Sequence, residues 1–344
     1  MGVSHNRRKE EHLRICLEED VQFGYPSSGF DEVQLPHRAA PELALSEIEL
    51  DVECWGKTLR APLFISSMTG GTAPARQINR NLARAAQELG VALALGSLRT
   101  ALEDASTIET YTVRDVAPDI LLCANLGAVQ LNYGYGLAEC RRAVEIVGAD
   151  ALILHLNPLQ EALQQDGNTN FAGLLDKIAG ICAQLPVPVI VKEVGWGISE
   201  EVARQLAQAG VAAIDVAGAG GTSWSQVEMH RASSESSRRI AQAFQTWGIP
   251  TVRSIVESRR GAPNTFLIAS GGLRNGVDIA KALWLGADAA GMAYPLLKQA
   301  VISEEAVITR VQEVIQELRI AMFCMGCRRI ADVHALRARY EHIA

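Results

Sequence analysis

The sequence predicts a (β/α)8 TIM barrel carrying an N-terminal extension. Three observations carry that expectation. From Leu59 onward a unit repeats: a short apolar run, a turn of Gly, Asn or Ser, then an amphipathic helical stretch, and eight such runs follow one another. The runs are continuously apolar rather than alternating, as in parallel strands covered on both faces. Glycine is abundant, at 29 residues, while aromatic residues reach only 5%, which fits many tight strand–helix turns better than an aromatic-rich sandwich. Repeated strand–helix units imply parallel strands joined by right-handed crossovers, and eight of them close most naturally into a barrel. An open doubly wound sheet ranks second, because no Gly-x-Gly-x-x-Gly turn follows the first run.

Residues 1–58 precede the barrel as an extension, and residues 59–344 form it. The runs, in order, are LRAPLFISS, VALALGS, ILLCANLG, ALILHL, VPVIVKEV, AAIDVAG, FLIASGG and AAGMAY. Between them lie stretches such as PARQINRNLARAAQELG and EEVARQLAQAG, with Ala, Leu and Arg at helical spacing and Gly at the stop position. The polar connection TSWSQVEMHRASSESSRR after the sixth run exceeds an ordinary βα loop, and reads as a lid or a surface excursion.

Bulk composition narrows the partners. A net charge of −7 argues against non-specific binding of nucleic acid or an anionic membrane surface, and leaves room for a local basic patch that takes a small anion. No segment approaches the roughly 18 continuous apolar residues of a membrane span, and MGVSHNRRKEEH lacks the apolar core of a signal peptide. Seven cysteines, an odd number scattered through apolar segments, fit reduced thiols and a cytoplasmic location. Cys324 and Cys327 have redox or metal spacing, but no second pair, and read as structural.

Chemistry in such a barrel gathers at the C-terminal ends of the strands. The fourth run continues into HLNPLQE: His155 and Asn157 share one side of the strand, Pro158 ends it, and Gln160 and Glu161 sit in the following turn. Other strand ends carry Ser97 with Arg99, Asn125 and Lys192. Glycine clusters AGAGGTSW, ASGGLRNG and AAGMAYP follow runs six to eight, where barrels often bind phosphate; Thr222 adds a hydroxyl donor. SSMTGG at the first strand end would lie against the flat part of a nucleotide-like cofactor. Lys192 would then stabilise negative charge on a reduced flavin, or serve as a Schiff-base nucleophile as in lysine aldolases.

These residues resemble the type 2 isopentenyl-diphosphate isomerases, FMN-dependent (β/α)8 enzymes. The resemblance runs over nearly the whole chain, through RKEEH, SMTGG, GSLR, CANLG, HLNPLQE, VKEVG, DVAGAGGTSW and SGGLR. It implies an FMN site of Ser67, Met68, Thr69, Ser97, Asn125, Lys192 and Thr222, with Gly271, Gly272, Arg274 and a Gly291–Met292 turn around the phosphate. It implies a substrate diphosphate met by Arg8, Lys9, His12, Ser97 and Arg99, with Gln160 near the reacting hydrocarbon and His155 and Asn157, the other catalytic candidates, around the pocket. Glu161 would hold Mg2+ on the diphosphate. NADPH would prime the flavin, whose N5 would carry the proton and whose anionic ring would steady a tertiary cation. The resemblance also implies a homo-oligomer, a tetramer or octamer. An FMN-dependent hydroxy-acid oxidase on the same barrel is the first alternative, but it calls for a histidine base where the seventh βα region offers glycines and Arg274. A non-catalytic flavin- or diphosphate-binding protein is the second.

Overall fold

The computed structural model describes residues 2–340, with side chains from 8 to 338. Eight parallel strands close into a barrel. Helix α1 (Gly2–Glu18) and a hairpin of β1 (Val52–Cys54) and β2 (Lys57–Leu59) come first. The barrel begins with β3 (Leu63–Ile65), α2 (Ala73–Leu89), β4 (Ala92–Ala94), α3 (Arg99–Glu103), β5 (Leu122–Gly127) and α4 (Leu137–Val147). It continues with β6 (Ala151–Leu156), α5 (Pro158–Leu163), α6 (Leu174–Gln184), β7 (Val189–Glu193), α7 (Glu200–Gln208) and β8 (Ala213–Asp215). Helices α8 (Trp224–Arg231), α9 (Glu235–Gln242) and α10 (Thr251–Gly261) lead to β9 (Phe266–Ala269), α11 (Gly276–Trp284) and β10 (Ala289–Met292). Helices α12 (Tyr294–Ile302), α13 (Glu304–Met325) and α14 (Ile330–Tyr340) complete the described chain. Among the described residues no helix is long and apolar enough to cross a membrane.

The first apolar run is divided. Leu59 pairs with Val52 in the hairpin, and the barrel strand starts only at Leu63, past Pro62. The hairpin closes the bottom of the barrel: Cys54 and Leu59 join Phe64, Ala92, Cys123, Ala151, Ile153, Ile190, Ala213, Ile268 and Ala289 in one apolar cluster.

Because strand side chains alternate, the residues that follow these at a period of two also face inward. They are Ser66, Gly96, Asn125, His155, Lys192, Asp215, Ser270 and Gly291. The interior therefore changes from apolar at the bottom to polar or bare at the top. Register reinforces the layer, since His155 lies beside Lys192 and Lys192 beside Asp215. The opposite strand faces and the helices form the larger core, with Ile65, Leu93, Leu152, Val191, Ile214 and Leu267 almost wholly buried.

The barrel bottom carries one device twice. Arg114 donates through Nε to Gly148 O, through one terminal nitrogen to the carbonyls of Ala117, Pro118 and Ile120, and through the other to Asp150; Asp150 also accepts from Leu122 N. Arg259 repeats this with Gly286, with Ala262, Pro263 and Thr265, and with Asp288, which accepts from Leu267 N. The sequence holds both copies, Arg-x-x-Ala-Pro-x-x-x-Leu before the strand and Gly-Ala-Asp before the next. The two staples start β5 and β9, four strands apart on opposite sides of the barrel.

The connection read as a lid or a surface excursion folds as two helices, α8 and α9. Ser234 caps α9 by accepting from Ser237 N, and Trp224, Glu228 and Arg231 recur at helical spacing along α8. All seven cysteines are free, and Cys327 is buried.

Candidate active site

A cavity of about 300 Å3 opens at the C-terminal end of the barrel. The polar top layer forms its floor, α1 roofs it with Arg8, Lys9, His12, Leu13 and Cys16, and α8, packed against α1, adds Trp224. The segment after α1 fixes that roof. Phe23 N donates to Gly221 O (2.8 Å), and Ser223 N donates to Val21 O (2.7 Å), so residues 21–23 are stitched to the loop after β8.

One end of the cavity is suited to a flat cofactor and its phosphate. Ser66, Ser67, Met68, Thr69, Asn125 and Lys192 line it. Glycines shape the rest. A Cβ on Gly271 would come within 2.2 Å of Gly218 O, and one on Gly291 within 2.5 Å of Ser66 Oγ. Ser66 Oγ is buried without a partner, so the cradle offers a hydroxyl where a ligand atom is wanted. Thr222 Oγ1 accepts from Gln22 Nε2 (3.2 Å), which leaves its own hydrogen to donate. Lys192 Nζ spends one donor on Glu193 O (2.6 Å) and retains two. Uncovered backbone, hydroxyls and a buried ammonium fit a phosphate-bearing aromatic cofactor such as FMN.

Imidazole and amide are linked across the floor. Asn125 Nδ2 donates to Ser67 Oγ (2.8 Å), so its carbonyl oxygen faces His155 and accepts from Nδ1 (2.8 Å). His155 thereby keeps Nε2 as a bare acceptor. Burial first, then the neighbouring Lys192 and Lys9 charges, push its pKa down to about 3, so the ring is neutral at physiological pH.

The other end is charged. Lys9 Nζ donates to Ser97 O (2.9 Å) and to the Tyr111 hydroxyl, which itself donates to Ser97 O (2.9 Å). Burial, with Arg8 next in effect, pushes Lys9 down to about 7. Arg8 is also lowered, chiefly by burial, against the attraction of Glu161. Arg99 reaches Glu103 Oε1 (2.8 Å) and Asn168 Oδ1 (3.1 Å). Three basic side chains thus converge in a protein of net charge −7.

Gln160 and Glu161 lie on α5, a short helix begun by Pro158, rather than in a turn. Glu161 Oε1 accepts from Asn157 Nδ2 (3.1 Å), and Oε2 accepts from Gln164 Nε2 (2.7 Å) and Asn168 N (2.5 Å). Asn157 Oδ1 is buried without a partner. A carboxylate beside an unsatisfied amide oxygen suits a hard cation such as Mg2+, which takes one or two protein oxygens and completes its shell with water and phosphate. Among the described residues no group of three or more His, Cys, Asp or Glu side chains stands ready to hold a metal. A cation here would therefore share its shell with an anionic ligand.

Every site residue expected from sequence lines this cavity except Met292. Gly291 and Met292 end a strand rather than form a turn, and alternation turns the Met292 side chain into the strand–helix core. Sequence reading missed Glu228, Trp224, Tyr111, Gln164 and Asn168. Glu228 is the most consequential: His12 Nε2 donates to its Oε1 (3.0 Å), Gln160 Nε2 to the same oxygen (3.3 Å), and Arg231 to Oε2 (2.6 Å). Burial opposes its ionisation, but the hydrogen bond from His12 and the charge of Arg231 hold its pKa below the ordinary value. Burial lowers the pKa of His12, against the hydrogen bond and charge of Glu228. It also meets Trp224 edge-on, with ring centres 5.2 Å apart. The helical recurrence of Trp224, Glu228 and Arg231 is the signal that would have exposed this face.

Comparison with known proteins follows the same lines. The sequence profile of the FMN-dependent dehydrogenase family matches residues 153–339. An isopentenyl-diphosphate delta-isomerase from Nostoc sp. is 52% identical over 319 residues, covering 93% of this chain and 91% of that protein. One from Stutzerimonas stutzeri is 52% identical over 331 residues, covering 96% of each. One from Rickettsia bellii is 50% identical over 337 residues, covering 98% of each. Among solved structures, a mandelate oxidase superposes with TM-score 0.67 at 17% identity, covering 95% of this chain and 96% of that one. A putative lactate oxidase from Pediococcus acidilactici gives 0.66 at 18%, covering 97% and 92%. At that identity the two oxidases share the fold alone.

Proposed function

Because this chain belongs to the FMN-dependent isopentenyl-diphosphate delta-isomerase family, we propose that it converts isopentenyl diphosphate into dimethylallyl diphosphate. The reaction is a 1,3-allylic proton shift that serves isoprenoid synthesis. The double bond moves from the 3,4 to the 2,3 position: C4 gains a proton, C2 loses one, and no net oxidation occurs. The observation that carries this reading is a single cavity with a phosphate-and-ring cradle at one end and Arg8, Lys9, Arg99 and Glu161 at the other.

Reduced FMN, primed by NADPH, would supply electron-rich acid–base chemistry that suits a short-lived tertiary cation. It would be held by Ser66, Ser67, Met68, Thr69, Asn125 and Lys192, with Thr222 and the backbone of Gly271 and Gly272 at its phosphate. Lys192 would favour the anionic reduced ring by charge. Arg8, Lys9 and Arg99 would bind the diphosphate, with Ser97 orienting it. Glu161, with Asn157 Oδ1, would hold Mg2+ against the same oxygens. Gln160, whose amide is fixed by Glu228, would position a proton beside the hydrocarbon, and Trp224 would give that wall an aromatic face tolerant of positive charge. Helices α1 and α8 would keep bulk water from the cation. A cytoplasmic homo-oligomer, tetramer or octamer, goes with this reading; the seven free cysteines suit the compartment, and light scattering measures the assembly.

The deciding experiment is incubation of the yellow protein with isopentenyl diphosphate, Mg2+ and NADPH under exclusion of oxygen. Dimethylallyl diphosphate must appear without stoichiometric NADPH consumption. A colourless holoprotein, or steady NADPH oxidation with no isomer formed, rejects the proposal.

A further inference from the structure

Asn168 belongs to no helix or strand, yet it touches both halves of the anion-binding end. Its backbone N–H donates to Glu161 Oε2 (2.5 Å). Its side-chain oxygen accepts from Arg99 (3.1 Å) and from Gln130 Nε2 (3.1 Å). The amide orientation is not arbitrary, since a guanidinium has only donors and demands the oxygen. Arg99 is braced on its other side by Glu103, and Glu161 by Gln164 and Asn157.

The loop that brings Asn168 here is sterically specified. Gly167 folds back on the last turn of α5 so closely that a Cβ would sit 1.8 Å from Glu161 O. Asp166 adopts φ 58°, a left-handed conformation uncommon for a residue with a side chain. Backbone this constrained holds its N–H where the carboxylate needs it.

We propose that Asn168 is a positioning residue that fixes the separation of Arg99 and Glu161, so that the mouth selects a diphosphate carrying a divalent cation over a single phosphate. The proposal rests on the isomerase reading for its ligand class and extends it to a residue that need not touch the substrate. One phosphate satisfies the guanidinium or the cation on Glu161. Two linked phosphates satisfy both, provided the two are held a fixed distance apart. Outer-shell partners of this kind typically change metal affinity or activity by roughly 10–100-fold when removed.

The test is calorimetric titration of the oxidised FMN holoenzyme with inorganic pyrophosphate and with orthophosphate, each with and without Mg2+. Asn168→Ala keeps the backbone N–H but loses the acceptor. It is expected to weaken pyrophosphate by about tenfold, to shrink the tightening produced by Mg2+, and to leave orthophosphate affinity and the flavin spectrum unchanged. In turnover the loss falls on KM rather than kcat. Asn168→Asp restores an acceptor for Arg99 and is expected to recover most of the pyrophosphate affinity. The inference is overturned if Asn168→Ala binds pyrophosphate and responds to Mg2+ as wild type does, or if Asn168→Asp is as weak as Asn168→Ala. Wild-type protein that binds pyrophosphate no better than orthophosphate would instead refute the diphosphate reading itself, a distinguishable result.

Discussion

Gln160 and Glu228 meet over the barrel mouth, the amide nitrogen of one 3.3 Å from a carboxylate oxygen of the other. They come from α5 and α8, and their contact turns Gln160 so that its own oxygen accepts from Asn157 Nδ2 (3.1 Å). Glu228→Gln leaves the shape intact and removes the charge that orients both Gln160 and His12. The expected result is a fall in kcat of about 10²–10⁴-fold, the usual contribution of positioned proton transfer, with FMN still bound. A wild-type kcat in this variant would exclude the pair from proton handling.

Lys9 supplies a pH dependence. Its amine is pushed down to about 7, chiefly by burial. Below that pH it is protonated and adds a cation to the diphosphate end; above it the cation is lost. Since kcat/KM reports the free enzyme, it should decline as pH rises through about 7. Lys9→Gln should be slower at low pH and should not show that decline. His155, at about 3, contributes no ionisation between pH 5 and 9.

Gly271→Ala tests the phosphate cradle. The residue has φ 103°, and its Cβ would overlap Gly218 O at 2.2 Å and Thr251 Oγ1 at 2.8 Å. The loops after β8 and β9 must separate to admit it. Purified variant should carry much less flavin than wild type, measured as flavin absorbance per protein. Full occupancy would place the phosphate elsewhere.

The paired staples give a stability prediction. Arg114→Ala or Arg259→Ala leaves several carbonyls and one carboxylate without their donor, at an expected cost of about 1–3 kcal/mol each, given partial exposure. The sites lie on opposite sides of the barrel bottom, so the losses should add in the double variant. Thermal denaturation reads this as matched decreases in Tm, while KM at permissive temperature stays unchanged. A large difference between the two single variants would deny their equivalence.

Much of this was legible in the chain. The apolar runs marked all eight barrel strands because a strand buried on both faces must be apolar throughout, and the ends of those runs marked Asn125, His155 and Lys192. Boundaries were less legible. Leu59 reads as part of the first strand, yet Pro62 separates it into the hairpin. Met292 follows Gly291 in sequence but faces the other way, because neighbouring strand residues point to opposite sides. The stretch after Trp224 reads as polar loop because α9 is mostly exposed, and α8, though largely covered, buries polar side chains such as Ser225 and Glu228 that carry no apolar periodicity.

By itself the sequence determined the barrel, the glycine cradle and the residue types at the strand ends, since these follow from local periodicity and from backbone that only glycine allows. Tertiary structure alone decided the partnerships across the mouth: His12 and Gln160 on Glu228, Lys9 on Tyr111, and Arg99 with Glu161 on Asn168. The members of these pairs stand up to 216 positions apart. Hydrogen bonds depend on distance and angle in space, and no spacing along the chain encodes which charge a folded helix will carry over the barrel.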